Sequence, residues 1–591
     1  MDPNPLFRES DLSFMLREVF EVEQLCALKP FAHLDLETFE LYIDAARTLA
    51  RARLYPLYRE MDQQPPAFDG ARVTTHPKMA ECYDQLADLG VLSATRPEEV
   101  GGASFPQTIA TVANLYLMAA NAGAAGFPLL TAGAAHLVEA FGDEETRAMF
   151  MRPMYDGAWT GTMALTEPHA GSSLAAITTR ARPRPDGRYE IHGSKIFISG
   201  GDHDIRPNVV HMTLARIEGA PEGTKGVSLF AIPRLQPEGD TIVPNDVHTT
   251  QLIHKIGWKA LPSVALNYGE RDDCIGWLIG EPGAGLSYMF QMMNEARLMV
   301  GANGIATASA AYFAALDYAK GRRQGRALSR SSGQASVAII EHPDVRRMLL
   351  RQKAIVEGGT ALLIQTGLYA DHATAAGDED GGRAAGILDL LTPIAKSFPA
   401  EWGFESNSLA LQIFGGYGYT TEYMPEAWLR DQRLNSIHEG TSGIQGLDLL
   451  GRKVVARGGD PFRALLEEIH TTTRKARAHE ELQDHAAALM ATCDRLASTT
   501  ASLATRGAGG DVVGMLAHSD SYLRSVSVTL VAWMWLKMAC VAVTRDPSEF
   551  RSGKLHACDY WFQDELPRVT CWLASCERSA PSFVSVLPDS F

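Results

Sequence analysis

Cysteine is scarce and scattered. The chain of 591 residues has eight, none in a C-x-x-C pair, and the closest two, Cys571 and Cys576, are spaced for no common metal site. In a chain this long they read as reduced thiols of a cytosolic protein, not as a disulfide framework. Basic residues are also in short supply. Lys and Arg number 54 against 70 Asp and Glu, a formal net charge of −16. A phosphate-backbone binder needs a basic surface, so nucleic acid is excluded as a partner. A small anionic ligand is not excluded, because a few local arginines hold one phosphate against an acidic background. The start, "MDPNPLFRESD", lacks the apolar run of a secretory signal. The βαβ alternation and intact G-x-G-x-x-G of a Rossmann cofactor site are also missing. The strongest apolar run is "SVSVTLVAWMWLKMACVAVT" (525–544), interrupted by Lys537 and diluted by serine and threonine. It reads as a buried bundle helix rather than a membrane-contacting one.

What is present is ordinary globular material, 46% hydrophobic and 21% charged, enough for three or four domains. Helical spacing dominates to about residue 159, and "HPKMAECYDQLADLG" ends on Gly90 as a helix stop. Short alternating runs follow over 160–286: "ITTRARPRPDGRYEIHGSKIFISG", "VVHMTLARI", "GVSLFAIPRL" and "SVALNYG". Asp186-Gly187 marks a hairpin, because both residues tolerate positive φ. These runs predict an antiparallel β domain. Helical periodicity returns over 287–458. A further helical domain over 459–591 opens at Asp460 as N-cap with Pro461 in the first turn. The fold class is therefore α+β, mainly α.

Four separated motifs carry the chemistry: "MALTEPHAGSSL" (163–174), "GSKIFISGG" (193–201), "LQIFGGYGYTTEYMPEAWLRD" (411–431) and "LNSIHEGTSGIQGLDLLGRK" (434–453). In the last, Glu439 stands among small residues. A zinc site of the H-E-x-x-H type would need histidine where Ser442 stands, and a G-x-S-x-G elbow would need glycine at Ile444. On local grounds Glu439 is either a carboxylate favouring a helix N-terminus or a functional acid.

In their order and spacing the four motifs resemble the acyl-CoA dehydrogenase family of flavoproteins. The likeness runs from "LADLGVLSATRPEEVGG" through "HKIGWKALPS" and "LIGEPGAG" to "GIQGLDLLGRK". The extra C-terminal region is similar to the large-subunit members, which include 3-methylmercaptopropionyl-CoA and bacterial long-chain acyl-CoA dehydrogenases. The resemblance implies bound FAD, an acyl-CoA substrate and no metal. Met163, Leu165, Thr166, Gly171, Ser172, Phe197 and Ser199 would lie along the cofactor. Phe197 replaces a frequent tryptophan, and Ser172-Ser173 stands where the family usually has "GSD", without its aspartate. Arg322 and Gln324 match positions that bind the ADP part, with Gly325 in place of a phenylalanine. Gln412, Gly415 and Gly416 match the segment that reaches the neighbouring subunit's FAD. Thr441 and Gly443 match cofactor contacts after the base. Ser172, Asn294, Arg297, His438 and Gly440 would meet the substrate; the alternative for Arg297 is a surface ion pair with Glu295 or a neighbour.

Glu439 matches the catalytic base. It would take the α proton while the β hydrogen leaves as hydride to flavin N5, giving a 2,3-enoyl-CoA. The resemblance further implies a homodimer that passes electrons to electron-transferring flavoprotein. The location implied is the cytoplasm, with the periphery of a membrane as the variant. An oxygen-using acyl-CoA oxidase and a non-catalytic acyl-CoA-binding homologue stand as the alternatives. The Gly- and Ala-rich stretch "AANAGAAGFPLLTAGAAH" leaves acyl-chain length open: small side chains either free a deep channel or let helices pack closely.

Overall fold

The computed structural model describes residues 4–238, 241–326, 336–376, 378–578 and 581–591. Contact density divides the chain into two compact units: 40–105 with 116–296, and 1–39 with 106–115 and 297–591. The division falls inside three helices, Leu36–Leu49, Gln107–Phe141 and Gly285–Gly321.

The first of these units holds the sheet. A two-residue ribbon, β1 (Ala67–Phe68) with β2 (Val73–Thr74), precedes it. The main sheet is built from β3 (Thr160–Ala164), β4 (Arg180–Pro183), β5 (Tyr189–Ser199), β6 (Val209–Ile217), β7 (Val227–Pro233), β10 (Val247–Leu252), β11 (Ser263–Tyr268) and β12 (Ile275–Ile279). A second ribbon joins β8 (Leu235–Glu238) to β9 (Thr241–Pro244). The order across the sheet is β10-β11-β5-β12-β7-β6-β3, with β4 pairing β5 and β6. The expected antiparallel domain is thus corrected to a mixed one, because β3 and β4 both run parallel to β6. The chain leaves β3 through a long connection before it returns, and such a crossover is what parallel pairing requires.

The predicted hairpin forms between β4 and β5. Gly187 takes φ +80°, and the Asp186 carboxylate accepts from Arg188 N at 3.1 Å. β6 and β7 read as continuous apolar runs because both their faces are covered. Val210, Met212 and Leu229 belong to one core, Ala215, Phe230 and Ile232 to the other.

The Gly- and Ala-rich stretch is used for close packing. A Cβ on Gly123 would lie 2.7 Å from that of Ala260, and one on Gly161 would lie 2.5 Å from that of Ala134. At Asn121 the long helix breaks (φ −163°, ψ 89°), and the Asn121 side chain restarts it by accepting from Ala124 N at 3.1 Å.

The other unit is a helical bundle built on Pro343–Ala375 and Asp378–Phe414, joined by Asp460–Ala476, Gln483–Ala508, Ser519–Ala542, Glu549–Tyr560 and Arg568–Cys576. Ser519–Ala542 is the buried helix expected from the sequence; its apolar window is 83% buried within the fold. Trp533 donates to Thr472 at 2.8 Å, Trp535 to the Ala354 carbonyl at 3.0 Å, and Lys537 to Gln365 at 2.7 Å. The C-terminal region therefore shares a core with the bundle. Its opening is shifted by one residue from expectation. Gly459, at φ +86°, is the N-cap and Asp460 is already helical, because two left-handed glycines complete the turn before it.

Lys554 is the polar tie. It is 1% exposed and donates to Asp11 and to Glu357, each at 2.8 Å, while Lys353 holds the other Glu357 oxygen.

Candidate active site

The Pro425–Leu434 helix ends in a turn that carries Ile437 and His438 back onto the Leu434 carbonyl. Two left-handed residues follow, Glu439 at φ +53° and Gly440 at φ +83°. Thr441 then caps the short helix Ser442–Asp448, its hydroxyl accepting from Ile444 N at 3.3 Å. Glu439 is therefore not the capping carboxylate. Its left-handed conformation is one that few non-glycine residues adopt, and such strain persists where the surroundings enforce it. Here two side chains enforce it. Gln445 donates to the Glu439 carbonyl at 2.8 Å, and Lys396 donates to the Gly440 carbonyl at 2.7 Å. Gly440 is required for φ and for space, since a Cβ there would lie 2.7 Å from Gln445 Nε2.

Among the described residues the Glu439 carboxyl makes no hydrogen bond or ion pair, and nothing accepts from its backbone N–H. The residue is partly accessible, yet its carboxyl lies deep enough for desolvation to dominate. Burial pushes it up to about 7, against the pull of Arg297 and Lys396. Burial likewise pushes Lys396 down to about 8. Arg297 is not a surface residue paired with Glu295: it is 4% exposed and bonded to Asp448 at 3.2 Å, while Glu295 meets His136 at 2.6 Å. Asp448 also binds Arg452. Glu439, Arg297 and Lys396 form one cluster, with Gly440 and half-buried His438 adjoining it and Thr441 and Gly443 exposed beside it.

A second set gathers in the same unit around an open cavity of about 480 Å³, lined by Arg322, Gln324, Phe414, Gly415, Gly416 and Tyr417 among others. Arg322 lies over the Tyr417 ring at 5.7 Å, and Tyr318 stacks on Phe414 at 4.2 Å. The Gln324 backbone is pinned to Val337 and turns at Gly325, φ +70°. A glycine suits that turn better than the phenylalanine of the family pattern. Gly415 sits at φ +61° and Gly416 has open space above it, so a ligand can approach the backbone. Gln412 is exposed on the preceding turn and does not line the cavity.

The sheet unit places Met163, Leu165 and Thr166 at the end of β3, with Gly171 and Ser172 exposed on the following loop. Leu165 is itself buried. That loop is pinned by Glu167, which accepts from Thr178 and Thr179, backbone and hydroxyl alike, and from Lys195 at 2.9 Å. Burial pushes the Glu167 carboxyl up, but Lys195 and the threonines outweigh it and hold it at about 2. Lys195 also donates to the Leu165 carbonyl at 3.0 Å, and Ile196 N to the Thr166 carbonyl at 2.9 Å.

The β5 register slips opposite Ala265, and Phe197, within the slip, takes φ +61° and stands 61% exposed. A bulge of this kind re-aims a side chain. Half-buried Ser199 accepts from Thr162 at its carbonyl, and Asn294 is half-buried on the Gly285–Gly321 helix. Sequence reasoning missed Lys396, Gln445, Asp448, Glu167 and Lys195 as supports. The available signal was a lone charge inside an apolar run, as in "TPIAKSFP" and "SKIFIS".

Four family models match in succession. They are the acyl-CoA dehydrogenase N-terminal domain over 37–158, its middle domain over 162–268, its C-terminal domain over 283–454, and an acetyl-CoA dehydrogenase C-terminal-like domain over 465–586. A 3-methylmercaptopropionyl-CoA dehydrogenase of Ruegeria pomeroyi is 35% identical over 569 residues, 94% of this chain and 95% of the relative. A broad-specificity linear acyl-CoA dehydrogenase of Mycobacterium tuberculosis is 31% identical and covered at 95% on both sides. Among solved structures, an acyl-CoA dehydrogenase of Bacillus anthracis complexed with FAD shares the fold, with a TM-score of 0.75 at 20% identity, 95% of this chain and 91% of that one.

Proposed function

The chain belongs to the acyl-CoA dehydrogenase family, and from that membership we propose that it binds FAD and desaturates an acyl-CoA thioester at Cα–Cβ with Glu439 as the base. The observation that carries the assignment is the Glu439 turn: a carboxyl raised to about 7, without a partner among the described residues, on a backbone clamped at two successive carbonyls. A base with that affinity is matched to work near neutrality. The Glu439 N–H, without an acceptor among the described residues, can donate to a thioester carbonyl as negative charge develops there.

The residues present suit FAD. Phe197 offers an exposed aromatic face, and Arg322 with the open Gly415–Gly416 backbone offers charge and access for a diphosphate. When bound, FAD supplies the two-electron acceptor for the β hydrogen. Glu439 accepts the α proton at its carboxylate, Lys396 and Gln445 keep that carboxylate aimed, and Asp448 fixes Arg297 beside it. The named relatives are dehydrogenases, which favours transfer to an electron-transferring flavoprotein over an oxidase.

The carboxylate is the reactive form, so protonation must abolish its action. The anaerobic rate of flavin reduction at sub-saturating acyl-CoA should rise about tenfold per pH unit up to about 7 and level off above it. A flat profile from about pH 5 to pH 8 would remove Glu439 from this role.

We also read the protein as a homodimer. Tyr417 and Tyr419 stand 45% and 88% exposed beside the Gly415–Gly416 cavity, which suits a segment reaching a second copy's cofactor. Light scattering of the flavin-loaded protein should give twice the chain mass; a monomer with full FAD would end that reading.

A further inference from the structure

Lys396 sits in the Asp378–Phe414 helix between Pro393 and Pro399, in the run "TPIAKSFP". It is fully buried, and among the described residues its one hydrogen bond goes to the Gly440 carbonyl at 2.7 Å. A buried ammonium with a single acceptor is costly to keep and needs an opposite charge nearby. The other carboxylates of the cluster, Glu401 beside Lys396 and Asp448 beside Arg297, are already engaged. Glu401, one turn along the same helix, meets Arg524 from the Ser519–Ala542 helix at 3.5 Å and takes the Ser442 hydroxyl. Asp448 is shared by Arg297, from the Gly285–Gly321 helix, and Arg452. Half-buried His438 adjoins the turn. Glu439 is the carboxylate left for Lys396 to act on.

We propose that Lys396 is a positioning residue for this dehydrogenation: it holds the left-handed Glu439–Gly440 turn through the Gly440 carbonyl and, alongside Arg297, lends its positive charge to the base. The proposal rests on Glu439 being the base. Two contributions then separate. Gln445 clamps the Glu439 carbonyl without charge, while Lys396 clamps its neighbour with charge. Loss of a nearby positive charge disfavours the carboxylate, so the base should bind its proton more tightly. The pH limb of flavin reduction should then move to higher pH by about one unit or more.

The test compares flavin-loaded Lys396→Met, Lys396→Gln, Lys396→Arg and Gln445→Leu with the natural protein, by anaerobic stopped-flow across pH. The Glu439 carboxyl is titrated separately, without substrate, by its infrared C=O band, assigned by difference against Glu439→Gln. Both neutral variants should show the limb and the band titration shifted up together. Lys396→Arg should keep both in place, and Gln445→Leu should slow reduction without moving the limb.

An unmoved limb and band in Lys396→Met or Lys396→Gln would overturn the proposal, as would a shift in Lys396→Arg as large as in the neutral variants. If the neutral variants do not load flavin, the Glu439 band is titrated in the flavin-free forms of the natural protein and both neutral variants, where an upward shift supports the proposal and an unmoved band overturns it. If Glu439→Gln still reduces its flavin, the base assignment itself falls, which is a different failure from an unmoved limb.

Discussion

Glu439→Gln is expected to give a folded, yellow protein whose flavin acyl-CoA no longer bleaches. The substitution is nearly isosteric, and the Glu439 side chain has no hydrogen bond to lose among the described residues. The bonds that shape the turn run from Gln445 and Lys396 to main-chain carbonyls, which the variant keeps. The Glu439 backbone N–H, without an acceptor among the described residues, also persists. What disappears is the proton acceptor. Loss of a positioned general base costs about 10² to 10⁴ in rate. The larger figure is expected here, because the β hydrogen leaves easily only as the α proton does. Anaerobic stopped-flow reads the reduction, and calorimetry reads acyl-CoA binding, which should survive. Reduction within a few-fold of the natural rate would show that another group is the base.

The second large effect is on stability. Lys554→Met should cost about 3–5 kcal/mol, the usual consequence of removing one member of a buried ionic group. Lys554 is 1% exposed and serves Asp11 and Glu357 at 2.8 Å each. Burial pushes Glu357 up, but Lys353 and Lys554 together hold it well below the usual carboxylate range. Its stabilising share is therefore present at neutral pH, above the ordinary pKa of glutamate, and is lost as pH falls through the lowered value. The deficit of Lys554→Met should accordingly shrink in acid. Neutralising the partner left without its ammonium, with Asp11→Asn added to Lys554→Met, should recover part of the loss, while Glu357 keeps Lys353. Denaturant unfolding of the three proteins at neutral and acid pH checks this. A single variant within about 1 kcal/mol of the natural protein would mean that water or other side chains replace the ammonium.

Much of this architecture could be read from the chain beforehand, because periodicity and turn chemistry are local. The helices, the Asp186-Gly187 hairpin and the buried 519–542 helix all follow from short windows of sequence. The parallel pairing of β3 and β4 with β6 did not, since partner choice depends on the path of the crossover and not on the strands themselves. The site divides in the same way. Glu439 was found through its motif, but its φ of +53° leaves no mark in a sequence, where only glycine advertises a left-handed turn. Arg297 was expected near substrate, but its buried partner Asp448 lies 151 positions away, beyond any periodicity. The choice between channel and close packing at the Gly- and Ala-rich helix needed the positions of Ala260 and Met292, which approach Gly123 and Gly133.

The Lys554 tie also bears on how the chain is made. Asp11 emerges from the ribosome 543 residues before the lysine that neutralises it. At about 5–20 residues per second, that is roughly half a minute to two minutes of waiting. Glu18 waits in the same way for Arg545. This early-made segment is among the last to be locked, and until then its Phe14 and Leu16 have no finished bundle to enter. A nascent chain stalled before residue 545 should therefore leave this opening segment open to protease while the sheet unit already resists it.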